Sequence, residues 1–223
     1  DGPRDDLDHY EAIIDELGAR SVLDVGCGTG VLARRLAARG LTVVGVDPAE
    51  ASLDWARNQP GGESVTWIHG DATSLPELSV DVATMTGNVA QVFLSDDDFT
   101  AMLVGVRAAL RHGGVFVFET RDSSKQAWTE WTRERTYEVA HVPGIGDVTT
   151  WCDLLSEDLP FVSFRWTNQY ADGDTVTSDS TLCFRERADV ERLLTDQGFR
   201  VLDVRDAPDR PGREFVFLAE RAG

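Results

Sequence analysis

The stretch VLDVGCGTG (residues 22–30) decides the fold. Three apolar residues, interrupted by Asp24, run straight into glycines at 26, 28 and 30. A short buried-type strand that stops at Gly26 and yields to a helix near Val31 leaves free N–H groups at a helix N-terminus. With no side chain at its three glycines, the loop lets a ligand touch the backbone itself. A dinucleotide site carries GxGxxG, and its third glycine would fall where this chain has Val31. The spacing here is GxGxG, with Asp24 two residues ahead of the first glycine. Such an acid sits badly beside a pyrophosphate and suits a ligand bearing an ammonium group. The lysine of a nucleoside-triphosphate loop is also missing.

Outward from the loop, helical and strand patterns alternate from residue 6 to about 120. Apolar residues at 10, 13, 14 and 17 share a helical face, and Leu32, Ala33, Leu36 and Ala37 form the next helix, which Gly40 ends. TVVGVD (42–47) is a second strand; a helix from Pro48 to Arg57 follows, with Asp47 as its cap. VTWIHGD (65–71), VDVATMT (80–86) and VFVFET (115–120) read as three more strands. Ser95 and Asp98 have capping-box spacing before a helix carrying Phe99, Leu103, Val106 and Leu110. Strands separated by helices pair in parallel, because parallel neighbours need crossovers. The expectation is an α/β open sheet that binds its ligand beyond the carboxyl ends of the strands.

Residues 122–187 break this rhythm. Period-two alternation in FVSFRWTNQY (161–170) and TVTSDSTLCFR (175–185), with Asp172-Gly173 between them, reads as a hairpin. PGIGD (143–147) marks a second hairpin, between 137–142 and 148–154. A helix (188–197), a strand (200–205) and a last strand EFVFLAE (214–220) then resume the α/β pattern.

The chain has 223 residues, enough for one domain with a large insertion. Its net charge of −18 argues against a nucleic-acid partner, since phosphate neutralisation by Lys and Arg carries most of such binding. No apolar run is long enough to span a membrane. The opening DGPRDDLDHY has no basic start followed by an apolar run, so no signal peptide is expected, and without a Met the natural chain is expected to begin further upstream. Cys27, Cys152 and Cys183 lie far apart, in neither a disulfide framework nor a zinc pattern, and a cytoplasmic location is expected.

DVGCGTG, VGVDPA (44–49), GDA (70–72), DVATMTGN (81–88) and RHGGVFVFE (111–119) together resemble the five motif regions of the class I S-adenosylmethionine-dependent methyltransferases. The resemblance covers about residues 10–120 well, with 186–220 as the closing section. It implies a Rossmann-like doubly wound sheet of seven strands with the last antiparallel, plus an antiparallel β insertion after strand five. Residues 1–121 and 186–223 would bind the cofactor S-adenosyl-L-methionine; 122–185 would form a lid, substrate or dimerisation region.

Residue by residue, the resemblance implies that Gly26, Gly28 and Gly30 pass close to the cofactor's amino-acid part, and that Asp24 helps hold its ammonium. Asp47, followed by Pro48, would accept the ribose hydroxyls, or serve only as a helix cap. Asp71 would accept from the adenine amine, with the Ala72 N–H given to the ring; a plain turn aspartate is the alternative. Gly87 and Asn88 would offer backbone carbonyls near the ammonium and sulfonium. Arg4 and Tyr10 are candidates for the cofactor's carboxylate, against a surface arginine and a core tyrosine.

In-line transfer from a sulfonium needs orientation more than a fixed catalytic set. No catalytic signature is legible. TGNV stands where adenine or glutamine amino-methylases carry Asp/Asn-Pro-Pro-Tyr, the Pro-Cys of cytosine methylases is absent, and the four histidines show no metal-ligand spacing. Glu119, Arg121 and His141 could reach an acceptor, though an ordinary structural or surface role is the stronger reading for each. Trp128, Trp131, Trp151 and Trp166 fall in the insertion, as a small core or as an aromatic lid. The insertion resembles those of amino-sugar N-methyltransferases and glycine N-methyltransferase. The expected function is methyl transfer to a small-molecule N or O acceptor, with homodimerisation possible through the hairpins. The alternatives are a non-catalytic or regulatory cofactor binder and a protein methyltransferase.

Overall fold

A computed structural model describes residues 4–223; residues 1–3, counted in the expected cofactor unit, lie outside the described residues. The elements run α1 (Asp8–Glu16), β1 (Ser21–Val25), α2 (Val31–Ala38), β2 (Thr42–Asp47), α3 (Glu50–Arg57), β3 (Val65–His69), β4 (Val80–Met85), α4 (Asp96–Ala109) and β5 (Leu110–Arg121). After these come α5 (Arg133–Thr136), β6 (Glu138–Val142), β7 (Gly146–Asp158), β8 (Phe161–Tyr170), β9 (Thr175–Cys183), α6 (Arg187–Asp196), β10 (Phe199–Asp206) and β11 (Glu214–Arg221).

Seven strands form one sheet in the order β10-β11-β5-β4-β1-β2-β3. β1 to β5 pair in parallel, while β11 lies antiparallel between β5 and β10. This is the expected Rossmann-like fold. β1 and β2 are buried almost end to end, because helices cover both faces of a parallel sheet. Tyr10, Ile13 and Ile14 of α1 and Leu32, Ala33 and Leu36 of α2 pack on one face. Phe99, Leu103 and Val106 of α4 and Val190, Leu193 and Leu194 of α6 pack on the other. The strand order reverses between β1 and β4, and the crevice outside the carboxyl ends of these two strands is where such sheets bind ligands.

Local chemistry shifts some expected boundaries. The helix expected from Pro48 starts at Glu50, because the Asp47 carboxylate takes the Ala49 N–H at 2.8 Å and holds residues 48 and 49 in a turn. Asp47 is therefore not itself the cap. Ser95 does cap α4, accepting from the Asp98 N–H at 3.0 Å. Its hydroxyl donates back to the Asp98 carboxylate at 2.6 Å, where a longer acid would reach the cap's own N–H.

The two expected hairpins are one four-stranded antiparallel sheet, β6-β7-β8-β9. β7 and β8 also pair, from Val148↔Tyr170 to Asp158↔Phe161, across a tight Leu159-Pro160 turn. Between β5 and β6 lie short helical turns, Ser123–Lys125 and Ala127–Glu130, followed by α5. Trp128 from these turns packs with Val162, Leu182 and Phe184, and Trp131 and Phe164 close that small core. No helix among the described residues is long and apolar enough to cross a membrane.

Candidate functional site

Gly26, Gly28 and Gly30 have φ of +68°, +53° and +72°, the left-handed region that glycine enters without strain. The demands at the three positions differ. A Cβ at Gly26 would meet Val89 at 2.7 Å, and one at Gly30 would meet Trp67 at 2.2 Å, so the protein's own packing requires glycine there. A Cβ at Gly28 would enter open space, as would one at Gly87, whose φ is +75°. Both line a cleft of about 260 Å³ with Arg4, Asp24, Thr86 and Val89. The bare backbone is thus free at Gly28 and Gly87, where the cleft lies.

Asp24 is 2% exposed, and register places it directly beside Thr84 on β4. The Thr84 hydroxyl donates to its carboxylate at 2.9 Å. Burial outweighs that bond and pushes the Asp24 pKa up to about 7. A cation placed against it would restore its charge. Asp47, at the end of β2, accepts the Gly28 N–H at 2.7 Å with one oxygen and the Ala49 N–H with the other. It braces the glycine loop. A carboxylate has about four lone-pair sites, so two remain for a ligand.

Beside the cleft lies a narrow throat of about 90 Å³ that shares Arg4, Thr86 and Gly87 with it. Tyr10, buried, and Glu119 and Asn88 also line this throat. Asn88 adopts φ +60°; its N–H donates to Glu119 Oε1 at 2.9 Å and its side-chain amide to Glu214 at 3.0 Å. Glu119 Oε2 and Asn88 Oδ1 are buried without a partner. Burial, reinforced by Glu214, raises the Glu119 pKa to about 7. Arg4 carries a two-bond ion pair with Asp6 at 2.8 and 2.7 Å.

Beyond the throat lies a wider cavity of about 500 Å³ that shares Arg121, Arg210 and Glu214 with it. Its far wall is Ala127, Glu130, Trp131, Arg135 and Thr136. The wall therefore comes from the helical turns before β6 rather than from the hairpin strands. Trp151 stacks under Arg133, whose guanidinium lies 4.1 Å from its ring, and Trp166 is 40% exposed; neither lines the cavity. His141 is exposed and paired with Asp147.

The remaining candidates lie outside these three spaces. Pro48 offers its carbonyl to His69 at 3.0 Å. Asp71 spends one oxygen on the Thr73 N–H and hydroxyl, a local turn. Ala72 is buried and lines a separate groove against α4. Sequence reading missed Arg210 and Glu214. They sit in a loop and at a strand start with no motif spacing, and only the pairing of β11 with β5 brings them to Glu119 and Asn88.

Residues 22–114 match a family described as methyltransferase domain. The chain is 34% identical over 110 residues to a cypemycin N-terminal methyltransferase of Streptomyces sp, covering 49% of this chain and 45% of that one. It spans about half the length of curated relatives matched at this level. Among solved structures, an S-adenosylmethionine-dependent methyltransferase from Clostridium acetobutylicum superposes with a TM-score of 0.81 at 19% identity, covering 100% of this chain and 94% of that one. A sugar N-methyltransferase from Streptoalloteichus sp gives 0.79 at 16% identity, covering 98% and 87%. These two likenesses show a shared fold.

Proposed function

We propose that the chain is a class I S-adenosylmethionine-dependent methyltransferase, a reading that the match of residues 22–114 to a methyltransferase domain supports, and that it methylates a nitrogen or oxygen of a small molecule. The observation that carries this reading is the buried, uncompensated Asp24 beside a glycine loop at the sheet's switch point. Its setting fits the cofactor's ammonium, and the open space at Gly28 and Gly87 fits close backbone approach. Arg4 and Tyr10 would face the carboxylate end, and Asp47 the ribose. Asp71 and Ala72, at the end of β3, would meet the base.

When bound, S-adenosylmethionine supplies an electrophilic methyl group carried on a positive sulfur. The chain's part is to align an acceptor lone pair with it and to exclude water. Glu119 lines the throat and its Oε2 is buried without a partner, which supports a role in taking the proton the acceptor sheds. In this reading residues 1–121 and 186–223 bind the cofactor, and 122–185 serve the acceptor. The exposed Val139 and Val176 on the four-stranded sheet, with exposed Tyr137 just before it, support pairing with a second copy. The cypemycin relative, by its name, methylates an N-terminal position, which favours nitrogen here.

Calorimetry with S-adenosylhomocysteine and NAD tests the cofactor half. The first should bind and the second should not. Asp47→Ala should weaken the first by about 1–3 kcal/mol, as a charged acceptor is lost. Unchanged binding in a folded variant would leave Asp47 a loop brace only. Release of S-adenosylhomocysteine with a panel of small amines and hydroxyls separates an enzyme from a binder that does no chemistry.

A further inference from the structure

We propose that the 500 Å³ cavity is the acceptor site and that it grips the acceptor by an anionic group, a carboxylate or a phosphate. The proposal rests on the methyltransferase reading and names the substrate class for it. Shared walls set the three spaces side by side. The glycine-loop cleft and the throat have Arg4, Thr86 and Gly87 in common, and the throat and the cavity have Arg121, Arg210 and Glu214 in common. An acceptor anchored in the cavity can therefore extend its reacting atom past Glu119 toward the cofactor's cleft.

The charge of the walls is the second observation. On a chain of net charge −18, this cavity is lined by four arginines, Arg121, Arg135, Arg210 and Arg213, and two glutamates, Glu130 and Glu214. Each glutamate is divided between two guanidiniums. Glu130 meets Arg213 at 2.8 Å and Arg135 at 3.4 Å; Glu214 meets Arg210 at 2.6 Å and Arg121 at 3.9 Å; with Asp209, 3.7 Å from Arg210, three carboxylates face four guanidiniums. A guanidinium has five donors in a planar fork, so carboxylates shared in this way leave donors and positive charge over. Struts that only tied the helical turns to the sheet would need matched charge. Arg121 is further held by Gln91 at 2.9 Å and lies 5.6 Å from the Trp131 ring, which fixes its plane in advance of binding. Planar forks held in place are the arrangement that binds carboxylate or phosphate through two bonds.

The test titrates inorganic phosphate, and separately malonate, into the full chain saturated with S-adenosylhomocysteine, at constant ionic strength in chloride. One of the two should bind saturably, and which one does assigns the group. Arg135→Gln, at a side chain 64% exposed, should weaken that anion by about tenfold, the loss of a charge-assisted contact. Arg213→Gln should add to the loss. Glu130→Gln should strengthen the anion, because it releases two arginines. S-adenosylhomocysteine affinity should stay constant throughout. The proposal is overturned if neither anion saturates, or if Arg135→Gln and Glu130→Gln leave the anion's affinity unchanged. If S-adenosylhomocysteine itself fails to bind the unaltered chain, the methyltransferase reading falls instead.

Discussion

Asp24 holds its proton to about pH 7 because burial outweighs the single hydroxyl that stabilises its charge. An unfolded aspartate loses that proton near pH 4. Between those limits the folded chain binds more protons than the unfolded one, so this group's contribution to stability declines as pH rises from about 4 to 7 and is level above. A ligand ammonium reverses the preference, since it needs the carboxylate ionised. S-adenosylhomocysteine should therefore bind more tightly as pH rises from 6 to 8, by less than tenfold per unit, and Asp24→Asn should flatten that dependence. Glu119 also titrates near 7, so Glu119→Gln is the control. A slope that survives in Asp24→Asn and vanishes in Glu119→Gln would move the cation to the throat. At this scale the sequence was legible where an offset along the chain is fixed, as between Asp24 and Gly26. It was silent where partners are remote: Asn88 and Glu214 bond across 126 positions, and no spacing rule joins them.

Asp81 does for the amino ends of the strands what Asp47 does for the carboxyl ends. At the start of β4 it accepts the N–H groups of Arg20 and Ser21 at the head of β1, and Arg111 of β5 at 2.6 Å. The Arg111 guanidinium and those donors hold its pKa down to about 2. Its stabilisation is present above the unfolded value near 4 and is lost as pH falls through 2. Asp81→Ala should cost about 1–2 kcal/mol of stability, a modest figure because water reaches the site, and should leave S-adenosylhomocysteine affinity intact. Urea unfolding at pH 7 and pH 3 reads both the loss and its pH dependence. The α/β elements were legible because strands buried on both faces and amphipathic helices have distinct periods. The turns from Ser123 to Glu130 were not, since they are too short to have one. The pairing of β7 with β8 also went unread. Leu159-Pro160 carries none of the Asn-Gly or Asp-Gly chemistry of common two-residue turns, and the register shifts between Leu154 and Ser156.

For the whole molecule, the insertion after β5 was legible as a break in rhythm and was expected as a lid, substrate or dimerisation region, but which of its residues wall the cavity was not legible. Of the four tryptophans read as a small core or an aromatic lid, Trp131 lines the cavity and Trp128, Trp151 and Trp166 do not. Trp131→Ala should lower acceptor turnover severalfold while S-adenosylhomocysteine affinity holds, measured on a variant with native near-ultraviolet dichroism. Equal losses in both would make Trp131 part of the fold's support alone. The position of β11 has a different consequence. It is the last strand among the described residues, yet it lies inside the sheet between β5 and β10. Until residues 214–221 leave the ribosome, a growing chain presents β5 with one edge unpaired, and Phe116 and Phe118 lack the rings of Phe217 that later stack on Phe118. Glu214, one wall of the throat, arrives with the same strand. Synthesis thus leaves the sheet adhesive, and its throat incomplete, until residues 214–221 are made, and a pause in translation over the preceding codons would prolong that state.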